Sequence, residues 1–163
     1  MSIYQNSTDF LDQLTTGAFL TVDNGEEVNT MTIGWGSIGR VWAMPVIMVM
    51  VRYSRYTHNI IKNAQDFTVS VPVKGTLKKE LAGAGSLSGR DGDKFKALGL
   101  TLQPGRKTKS PVIAGGGMHY ECKIRYWQEM NPDNADKDLQ SQAYGDNDYH
   151  VLYFGEIIEK YQD

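Results

Sequence analysis

The feature that most constrains the fold is a series of short apolar or alternating segments separated by turn residues. Ala18 to Val22 is apolar and β-branched, residues 23–26 read Asp-Asn-Gly-Glu, and Val28 to Trp35 alternates between apolar and polar residues. An Asn-Gly turn between two such segments predicts a β-hairpin, because both residues tolerate the positive φ angles of a tight turn. The chain therefore starts to build an antiparallel sheet within its first 35 residues.

The second strand of this hairpin has two different faces, because side chains alternate along a strand with a period of two. One face carries Met31, Ile33 and Trp35, and the other carries Thr30, Thr32, Gly34 and Gly36. A face of Thr and Gly is predicted to leave room for a ligand to approach the backbone. Trp35 is expected to wall such a pocket or to fill the core.

Further strands follow from the same reasoning. The longest apolar run, Val41 to Val51, has 11 residues and contains Pro45. A membrane helix needs roughly 20 residues, so the run is interpreted as an interior strand, with Val46 to Arg52 central and covered on both faces. Phe67 to Val71 alternates and ends at Pro72, which predicts another strand.

The second half of the chain predicts two long strands, Met118 to Glu129 and Tyr149 to Tyr161. The segment between them is rich in Asp, Asn and Gln and is predicted to be too hydrophilic for the core. Short helices are predicted where a capping residue precedes apolar residues at helical spacing. They are a first helix capped by Ser7-Thr8-Asp9 and stopped by Gly17, one from Thr57 to about Ala64, one over Thr76 to Leu81, and one over Asp93 to Leu98 closed by Gly99.

At least six strands and three or four short helices follow one another without strict βαβ alternation. An antiparallel barrel with helical insertions is therefore favoured over a doubly wound sheet. The 163 residues suit one domain, 1–163, which at this size buries about two thirds of its unfolded surface. Glycines 83, 85 and 89 are predicted to form a loop.

The composition excludes several classes of protein. A single cysteine cannot form an intramolecular disulfide or supply a zinc ribbon, and it fits a reducing, cytoplasmic setting. The formal charge of −2 includes no basic tract, so no nucleic acid is expected as a partner. The first residues have no basic region followed by an apolar stretch, which argues against a signal peptide, and no membrane partner is expected.

Common site motifs do not fit either. In Gly83 to Gly89 the third glycine comes one residue late for a dinucleotide-binding loop, and no strand precedes it. His119 and Cys122 are three residues apart on a strand, which predicts opposite faces and no shared metal ion. Cys122 is interpreted as a small buried residue, and the three histidines are expected to be structural. No metal site and no catalytic residue is predicted.

Three segments carry chemistry together: residues 29–36, 52–57 and 88–95. Arg52 and Arg55 flank Ser54 at the end of an apolar strand, immediately before a predicted helix whose first N–H groups and dipole favour an anion. Guanidinium groups, a hydroxyl and helix N–H groups are the partners that a phosphate monoester needs.

At this point the sequence resembles the flavin reductase-like, FMN-binding split-barrel family, in particular its flavoredoxin-like branch. The resemblance rests on four motifs in order, namely Asn-Thr-Met-Thr-Ile-Gly-Trp at 29–35, Arg-x-Ser-Arg-x-Thr at 52–57, Ser-Gly-Arg-Asp-x-Asp-Lys-Phe at 88–95, and the strand at 149–157. It implies an antiparallel split β-barrel of Greek-key type. It also implies a homodimer that holds FMN near the subunit interface and takes electrons from a nicotinamide or a redox partner protein.

Carried over residue by residue, the resemblance implies two groups of cofactor-binding residues. The flavin ring is expected against Asn29, Thr30, Met31, Thr32 and Trp35. The phosphate is expected at Arg52, Ser54, Arg55 and Thr57, and Lys94 is also expected to reach the cofactor. Where the family is expected to have a Cys, this chain has Ala84, so thiol chemistry is not expected.

Two functions from different classes remain open. The first is a flavin reductase that uses NADH or NADPH, and the second is an FMN-containing electron carrier without nicotinamide turnover of its own. His150 lies on the late strand, where it is expected to be structural or to approach the nicotinamide. A third alternative is an oligonucleotide-binding barrel, which the strands and aromatic residues suggest and the balanced charge opposes.

Overall fold

The computed structural model describes residues 2–163, which form nine strands and five α-helices. The strands are β1 (Ala18–Asp23), β2 (Val28–Ile33), β3 (Gly36–Val41), β4 (Met44–Arg52), β5 (Asp66–Val71), β6 (Leu102–Gln103), β7 (Val112–Ile113), β8 (Met118–Glu129) and β9 (His150–Gln162). The helices are α1 (Ser7–Leu14), α2 (Tyr56–Ile61), α3 (Lys78–Ser86), α4 (Lys94–Leu98) and α5 (Lys137–Ala143). Short 3₁₀ turns cover Gly89–Asp91 and Pro132–Asn134.

Seven strands form one antiparallel sheet in the order β2-β1-β5-β8-β9-β4-β3. Strands distant in sequence, such as β1 and β5 or β4 and β9, are neighbours, as in a Greek key. The sheet does not close, since its two outer strands β2 and β3 are not paired with each other. The prediction of a mainly β, antiparallel split barrel with short helices is confirmed.

The opening in the barrel occurs where the chain passes from one edge strand to the other. β2 ends at Ile33 and β3 begins at Gly36, so only Gly34 and Trp35 connect the two edges. Trp35 has 49% of its surface exposed and does not fill the core. The predicted strand through Trp35 is thus two residues too long.

The interior of the sheet is filled by apolar side chains and sealed at one end by α1. Phe10 and Leu14 of α1 are buried in the same cluster as Phe67 and Cys122. At Gly155 a Cβ atom would lie 2.5 Å from Phe67 Cζ, so only glycine lets β9 pass this ring. Burial raises the pKa of the Cys122 thiol well above its usual range, as expected for a structural cysteine.

The interpretation of residues 41–51 as one interior strand is wrong. The run contains the end of β3, a two-residue turn at Trp42 and Ala43, and most of β4. Both turn residues have positive φ, 50° and 61°, which is the geometry of a tight hairpin turn. Because neither is Gly or Asn, the sequence does not signal this turn. The prediction that the central strand is covered on both faces is also wrong, because Met48 and Met50 of β4 are only half-buried.

The predicted glycine loop is also wrong at two positions, because Gly83 and Gly85 lie inside α3. A Cβ atom on Gly83 would lie 2.2 Å from Leu98 Cδ2, and one on Gly85 would lie 3.4 Å from Thr32 Cβ. These glycines therefore permit close packing of the helix against its neighbours, at a cost in helix propensity.

The two ends of α4 agree with the sequence prediction, because its capping residues lie next to the helix in the chain. Asp93 accepts a hydrogen bond from Lys96 N, and Gly99 follows α4 with φ of 65°, as predicted. Thr57, predicted as a cap, instead lies in the first turn of α2, and its hydroxyl accepts a hydrogen bond from Asn29. The first helix likewise begins at Ser7, so Asn6 and not Ser7-Thr8-Asp9 is its N-cap.

The polar connection between β8 and β9, predicted to be too hydrophilic for the core, contains a helix and a buried side chain. It contains α5, and Tyr144 within it is only 3% exposed and stacks on Tyr149. Within residues 2–163, no helix combines the length and apolar character needed to cross a membrane. The same residues contain no cluster of three or more His, Cys, Asp or Glu that could hold a metal ion.

Candidate functional site

Two neighbouring cavities lie where the three predicted segments meet, and Arg55 lines both of them. The first, here called the split cavity, lies at the opening of the barrel and has a volume of about 210 Å³. It is lined by Met31, Thr32, Ile33, Gly34, Trp35, Met50, Arg52, Arg55 and His150. The second, here called the cation cavity, has about 170 Å³ and is lined by Asn29, Ser54, Arg55, Tyr56, Thr57, Ser86, Leu87, Ser88, Arg90 and Lys94.

Three basic side chains surround the cation cavity. Arg55 donates to the Gly85 carbonyl at 2.9 Å, and Arg90 donates to the Ser54 carbonyl at 3.2 Å. Lys94 donates to the carbonyls of Thr30 at 2.8 Å and of Ala84 at 3.1 Å. Among residues 2–163, none of the three has a carboxylate within ion-pairing distance. The cavity is therefore lined by three cations and by no carboxylate.

Lys94 is the most deeply buried of these three cations, with 4% of its surface exposed. Burial, together with a smaller contribution from repulsion by Arg55, lowers the pKa of Lys94 to about 8. Burial likewise lowers the pKa of Arg55, with a smaller opposing effect from Asp148. Both shifts mean that the charged forms are destabilised by their surroundings, which an anion in the cavity would relieve.

Small polar groups complete the cation cavity. The Ser86 hydroxyl donates a hydrogen bond to the Ala82 carbonyl, four residues earlier in α3, at 2.9 Å. The Ser88 hydroxyl accepts a hydrogen bond from the Arg90 backbone N–H. Asn29 bonds Thr57 at 2.9 Å across the floor. Hydroxyls beside several cations are suited to a group with several charged oxygens, such as a phosphate.

The split cavity has a flatter and more apolar wall. Trp35 forms one side, with its ring centre 5.3 Å from the ring of His150 and 5.7 Å from the Arg52 guanidinium carbon. Met31 and Met50 contribute apolar surface beside it. An aromatic side chain, a planar cation and exposed strand backbone are suited to a flat, conjugated ring.

His150 is held in a neutral state on this wall. Burial and the nearby charge of Arg52, partly opposed by Asp148, lower its pKa to about 4. The Tyr144 hydroxyl lies 2.7 Å from His150 Nδ1, which fixes the orientation of the imidazole ring. The split cavity thus presents an uncharged imidazole at neutral pH.

Two of the predicted phosphate residues are engaged by the loop that precedes β9. Arg52 donates to the carbonyls of Ala143 and Asp148 and lies on the Tyr144 ring. The hydroxyl and backbone N–H of Ser54 both bond the Asp148 carboxylate. Arg52 therefore faces the split cavity, whereas Ser54 reaches the rim of the cation cavity with its donors occupied.

The predicted ring residues separate into three positions. Met31, Thr32 and Trp35 line the split cavity, whereas Asn29 lines the cation cavity. Thr30 is fully buried and lines neither cavity, although its carbonyl holds Lys94.

The Thr face of β2, predicted to be open to a ligand, is covered by α3. The Thr32 hydroxyl donates to the Leu81 carbonyl at 2.5 Å, and Gly85 packs against the same side chain. The small side chains of that face thus accommodate a helix of the same chain. The ring-sized space lies instead at the end of the strand.

Some residues of the site were not among those predicted. Arg90, Ser86 and Ser88 line the cation cavity, and Tyr144 supports His150. Arg90 and Ser88 belong to the motif at 88–95, in which only Lys94 is predicted to bind the cofactor. Ser86 and Tyr144 gave no sequence signal, since each reaches its place only through the packing of α3 and of the β8–β9 connection.

Taken as a donor set, these residues fit the FMN that the resemblance implies. A flat ring needs an apolar wall and backbone groups, which the split cavity has, and a phosphate ester needs cations without a counter-ion, which the cation cavity has. The two cavities share Arg55, so they adjoin each other.

Comparison with known proteins supports the same family as the sequence resemblance. Residues 14–163 match the family described as the flavin reductase like domain. An uncharacterized protein of Archaeoglobus fulgidus is 32% identical over 153 residues, which cover 94% of this chain and 75% of that protein.

Solved structures share the fold. Flavoredoxin of Desulfovibrio vulgaris (Miyazaki F) is 26% identical, with a TM-score of 0.69 over 90% of this chain and 69% of its own. The NADH:FAD oxidoreductase SgcE6 of Streptomyces globisporus C-1027 is 22% identical, with a TM-score of 0.69 over 90% of this chain and 74% of its own.

Proposed function

Because the chain belongs to the flavin reductase-like family, we propose that it binds FMN across the split and cation cavities and reduces flavin with NADH or NADPH. The observation that carries this proposal is the position of Arg55, Arg90 and Lys94. Three cations without a carboxylate partner surround one end of a space whose other end has the size and character of a ring pocket.

The phosphate end is assigned to the cation cavity. Arg55 and Arg90 supply guanidinium donors, and Lys94 supplies a compact positive charge. Ser86 and Ser88 supply hydroxyl groups. Thr57 and Asn29, bonded to each other, hold the floor of the cavity in shape. A phosphate dianion here offsets the repulsion between Arg55 and Lys94, which stabilises the charged forms of both side chains.

Ser54 is assigned a conditional role. Its hydroxyl and N–H reach a phosphate only after the Asp148 carboxylate leaves them. Arg52, held by the carbonyls of Ala143 and Asp148, acts on the ring end rather than on the phosphate.

The ring end is assigned to Trp35, Met31, Thr32 and the strand backbone at residues 31–34. When bound, FMN supplies the chemistry of accepting a hydride and passing electrons on. The protein binds and orients the ring, and the neutral His150 leaves the wall beside Trp35 without an added charge. No side chain is required to act as a base.

A homodimer is part of the proposal. Trp42, Tyr126 and Phe154 form a cluster of aromatic rings 5.8–5.9 Å apart at one end of the sheet. Trp42 is 52% exposed and Tyr126 is 44% exposed. Large aromatic side chains are enriched in protein interfaces, so this end is assigned to subunit contact.

The second candidate function is an FMN-containing electron carrier served by a redox partner protein. It is favoured by the similarity to flavoredoxin, whose identity of 26% exceeds that of the NADH:FAD oxidoreductase. In that case the site holds FMN in the same way, and the electrons come from a protein.

One experiment tests the proposal and separates the two functions. The purified protein is loaded with FMN, its absorption spectrum is recorded, and NADH or NADPH is added without oxygen while absorbance at 340 nm is followed. Loss of absorbance with either nucleotide is expected of a reductase. Stable absorbance with both, in a protein that retains FMN, identifies the carrier, whereas failure to retain FMN refutes flavin binding.

A further inference from the structure

His150 lines the split cavity with an imidazole ring that Tyr144 holds from behind. We propose that Tyr144 selects the tautomer of His150, so that Nε2 carries the proton and donates a hydrogen bond to an acceptor atom on the edge of the bound ring. Tyr144 does not line the split cavity, so it is a positioning residue that acts through His150. The hydrogen bond to the ring rests on the proposed flavin binding, whereas the tautomer does not.

The two ring nitrogens of His150 have different surroundings. Nδ1 lies 2.7 Å from the Tyr144 hydroxyl, and Nε2 has no hydrogen-bond partner in the described part of the chain. Nε2 is nevertheless not a buried atom, since the buried side-chain atoms without a partner belong to His58, His119 and Tyr120. Because His150 lines the split cavity, Nε2 is accessible from that cavity.

Both side chains are in the protonation states that this role needs. Burial and the nearby charge of Arg52, partly opposed by Asp148, lower the pKa of His150 to about 4. At neutral pH the imidazole is therefore uncharged, and only one of its two nitrogens carries a proton. Burial raises the pKa of Tyr144, with a smaller opposing effect from Arg52, so its hydroxyl keeps its proton.

The direction of the hydrogen bond between these side chains decides the tautomer. An imidazole nitrogen is a more basic acceptor than a phenol oxygen, so the Tyr144 hydroxyl donates to Nδ1 of His150. In the opposite arrangement Nδ1 donates to the phenol oxygen, and the phenol proton turns to Met130 Sδ at 3.1 Å. A thioether is a weak acceptor, so this arrangement is the less stable one. The favoured arrangement leaves the proton on Nε2.

Packing holds both rings in place. Tyr144 is buried and stacks on Tyr149 with the ring centres 4.5 Å apart, and the Arg52 guanidinium carbon lies 5.2 Å from its ring centre. His150 is also buried, and its ring centre lies 5.3 Å from that of Trp35. Trp35 lines the same cavity, so the Nε2 proton lies beside the aromatic wall. A flat heterocycle with carbonyl or nitrogen acceptors on its edge has the chemistry that this donor recognises.

The tautomer is measured in the ligand-free, ¹⁵N-labelled protein at neutral pH, from a two-bond ¹H–¹⁵N correlation spectrum of the histidine rings. Protonated and bare ring nitrogens have different ¹⁵N shifts, and the His150→Gln spectrum identifies the signals of His150. We expect a protonated Nε2 and a bare Nδ1. A proton on Nδ1, or equal amounts of the two forms, overturns the proposal whether or not the protein binds FMN.

Variants connect the tautomer to ligand binding. Tyr144→Phe is expected to increase the fraction of His150 with a proton on Nδ1, and an unchanged fraction overturns the role of Tyr144. Tyr144→Phe and His150→Leu are each expected to weaken FMN and riboflavin binding about 5- to 10-fold, as the loss of one hydrogen bond at the ring end predicts. Tyr149→Phe, which keeps the stacked ring, is the matched control and is expected to change neither the tautomer nor the affinity.

A double-mutant cycle separates positioning from a purely structural role. If Tyr144 acts through His150, Tyr144→Phe costs little further FMN affinity in the His150→Leu protein. Additive losses overturn the positioning role, and full FMN affinity in both single variants overturns the hydrogen bond to the ring. A parent protein that binds no FMN refutes flavin binding itself, and the tautomer measured without ligand then decides the inference about Tyr144.

Discussion

Lys94 and Glu121 are both buried and both ionisable, but their surroundings stabilise the charge of Glu121 and destabilise the charge of Lys94. Glu121 is 0% exposed and accepts hydrogen bonds from the N–H groups of Arg106, Lys107 and Thr108 and from the hydroxyls of Thr108 and Tyr161. Lys94 is 4% exposed and has two backbone carbonyls but no carboxylate.

Their pKa values express this difference. Burial by itself raises the pKa of Glu121, but the hydrogen bonds together outweigh burial and lower it below its usual value. For Lys94 burial and Arg55 act in the same direction, and both lower its pKa. The first charge is stabilised within the chain, while the second is left to be stabilised from outside.

This contrast separates a structural ion from a binding ion. Glu121 fixes the loop at residues 105–110 against β8, and nothing else is needed to satisfy it. Lys94, Arg55 and Arg90 have no carboxylate partner among the described residues, and for this reason we propose that an anion binds there. Uncompensated charge in a cavity therefore marks the site better than burial or ionisation does by itself.

The largest expected effect comes from removing the guanidinium groups of the binding region. Arg55→Ala combined with Arg90→Ala is expected to weaken FMN binding at least about 100-fold, because each charge-assisted hydrogen bond contributes about 1.5–3 kcal/mol. Arg52→Ala combined with Arg55→Ala is expected to cost less, since Arg52 faces the split cavity. Fluorescence titration of FMN measures both.

Riboflavin, which lacks the phosphate, serves as the control ligand, and in Arg55→Ala combined with Arg90→Ala its affinity is expected to change much less than that of FMN. Arg40→Ala, on the exposed edge of β3, is the control variant. A parallel loss of riboflavin affinity means that the ring pocket has been damaged, and undiminished FMN affinity contradicts the phosphate assignment.

The structural region is tested by Glu121→Gln. Replacing the carboxylate leaves several N–H and O–H donors with a weaker or missing acceptor, so the free energy of unfolding is expected to fall by about 2–4 kcal/mol. FMN affinity of the folded protein is expected to remain unchanged. Urea unfolding measures the change, with the exposed Glu26→Gln as control.

The contribution of Glu121 to the stability of the parent protein is expected to depend on pH. Because the folded pKa of Glu121 is lowered, its contribution to stability is full above the unfolded value of about 4.3 and is lost as the pH falls through the folded value. The parent protein and Glu121→Gln are therefore expected to converge in stability as the pH falls below the unfolded value of about 4.3 and through the folded value. A constant difference down to lower pH is inconsistent with a charged Glu121.

The smallest expected effect is the pH dependence of FMN binding. In the free protein Lys94 loses its proton around pH 8, whereas a bound phosphate raises that pKa. Binding therefore takes up a proton above pH 8, and FMN affinity is expected to fall by up to about 10-fold per pH unit there. Titrations between pH 7 and 9.5 measure it.

Riboflavin is expected to show no such fall, and Lys94→Met is expected to flatten the FMN profile while leaving stability near that of the parent. That last result sharpens the contrast with Glu121, since removing the unsatisfied ion costs little and removing the satisfied one costs much. A steep FMN profile that persists in Lys94→Met assigns the titration to another group.

Elements whose signals are local were predictable from the sequence. The hairpin of β1 and β2, strand β8 and the helix between Asp93 and Gly99 follow from alternation, turn residues and a cap within a few positions of each other. The turn at Trp42 and Ala43 was not predictable, because residues with ordinary preferences adopt positive φ there only under the constraint of the paired strands.

The site follows the same division. Arg55, Lys94 and Trp35 stand out in the sequence because cations and a flat aromatic side chain occur beside turn and strand signals. Which cation faces which cavity depends on segments far apart in the chain. Asp148 reaches Ser54 across 94 residues, and Arg52 reaches the Ala143 carbonyl across 91.

The sequence by itself determined the fold class, the positions of most strands and the chemical character of the candidate cofactor site, since periodicity and residue type are local properties. Only the tertiary structure decided that α3 covers the Thr face of β2, that Arg90 joins Arg55 and Lys94, and that Glu121 is satisfied where Lys94 is not. Burial and charge compensation depend on which distant segments pack together, and no local pattern in the chain records that.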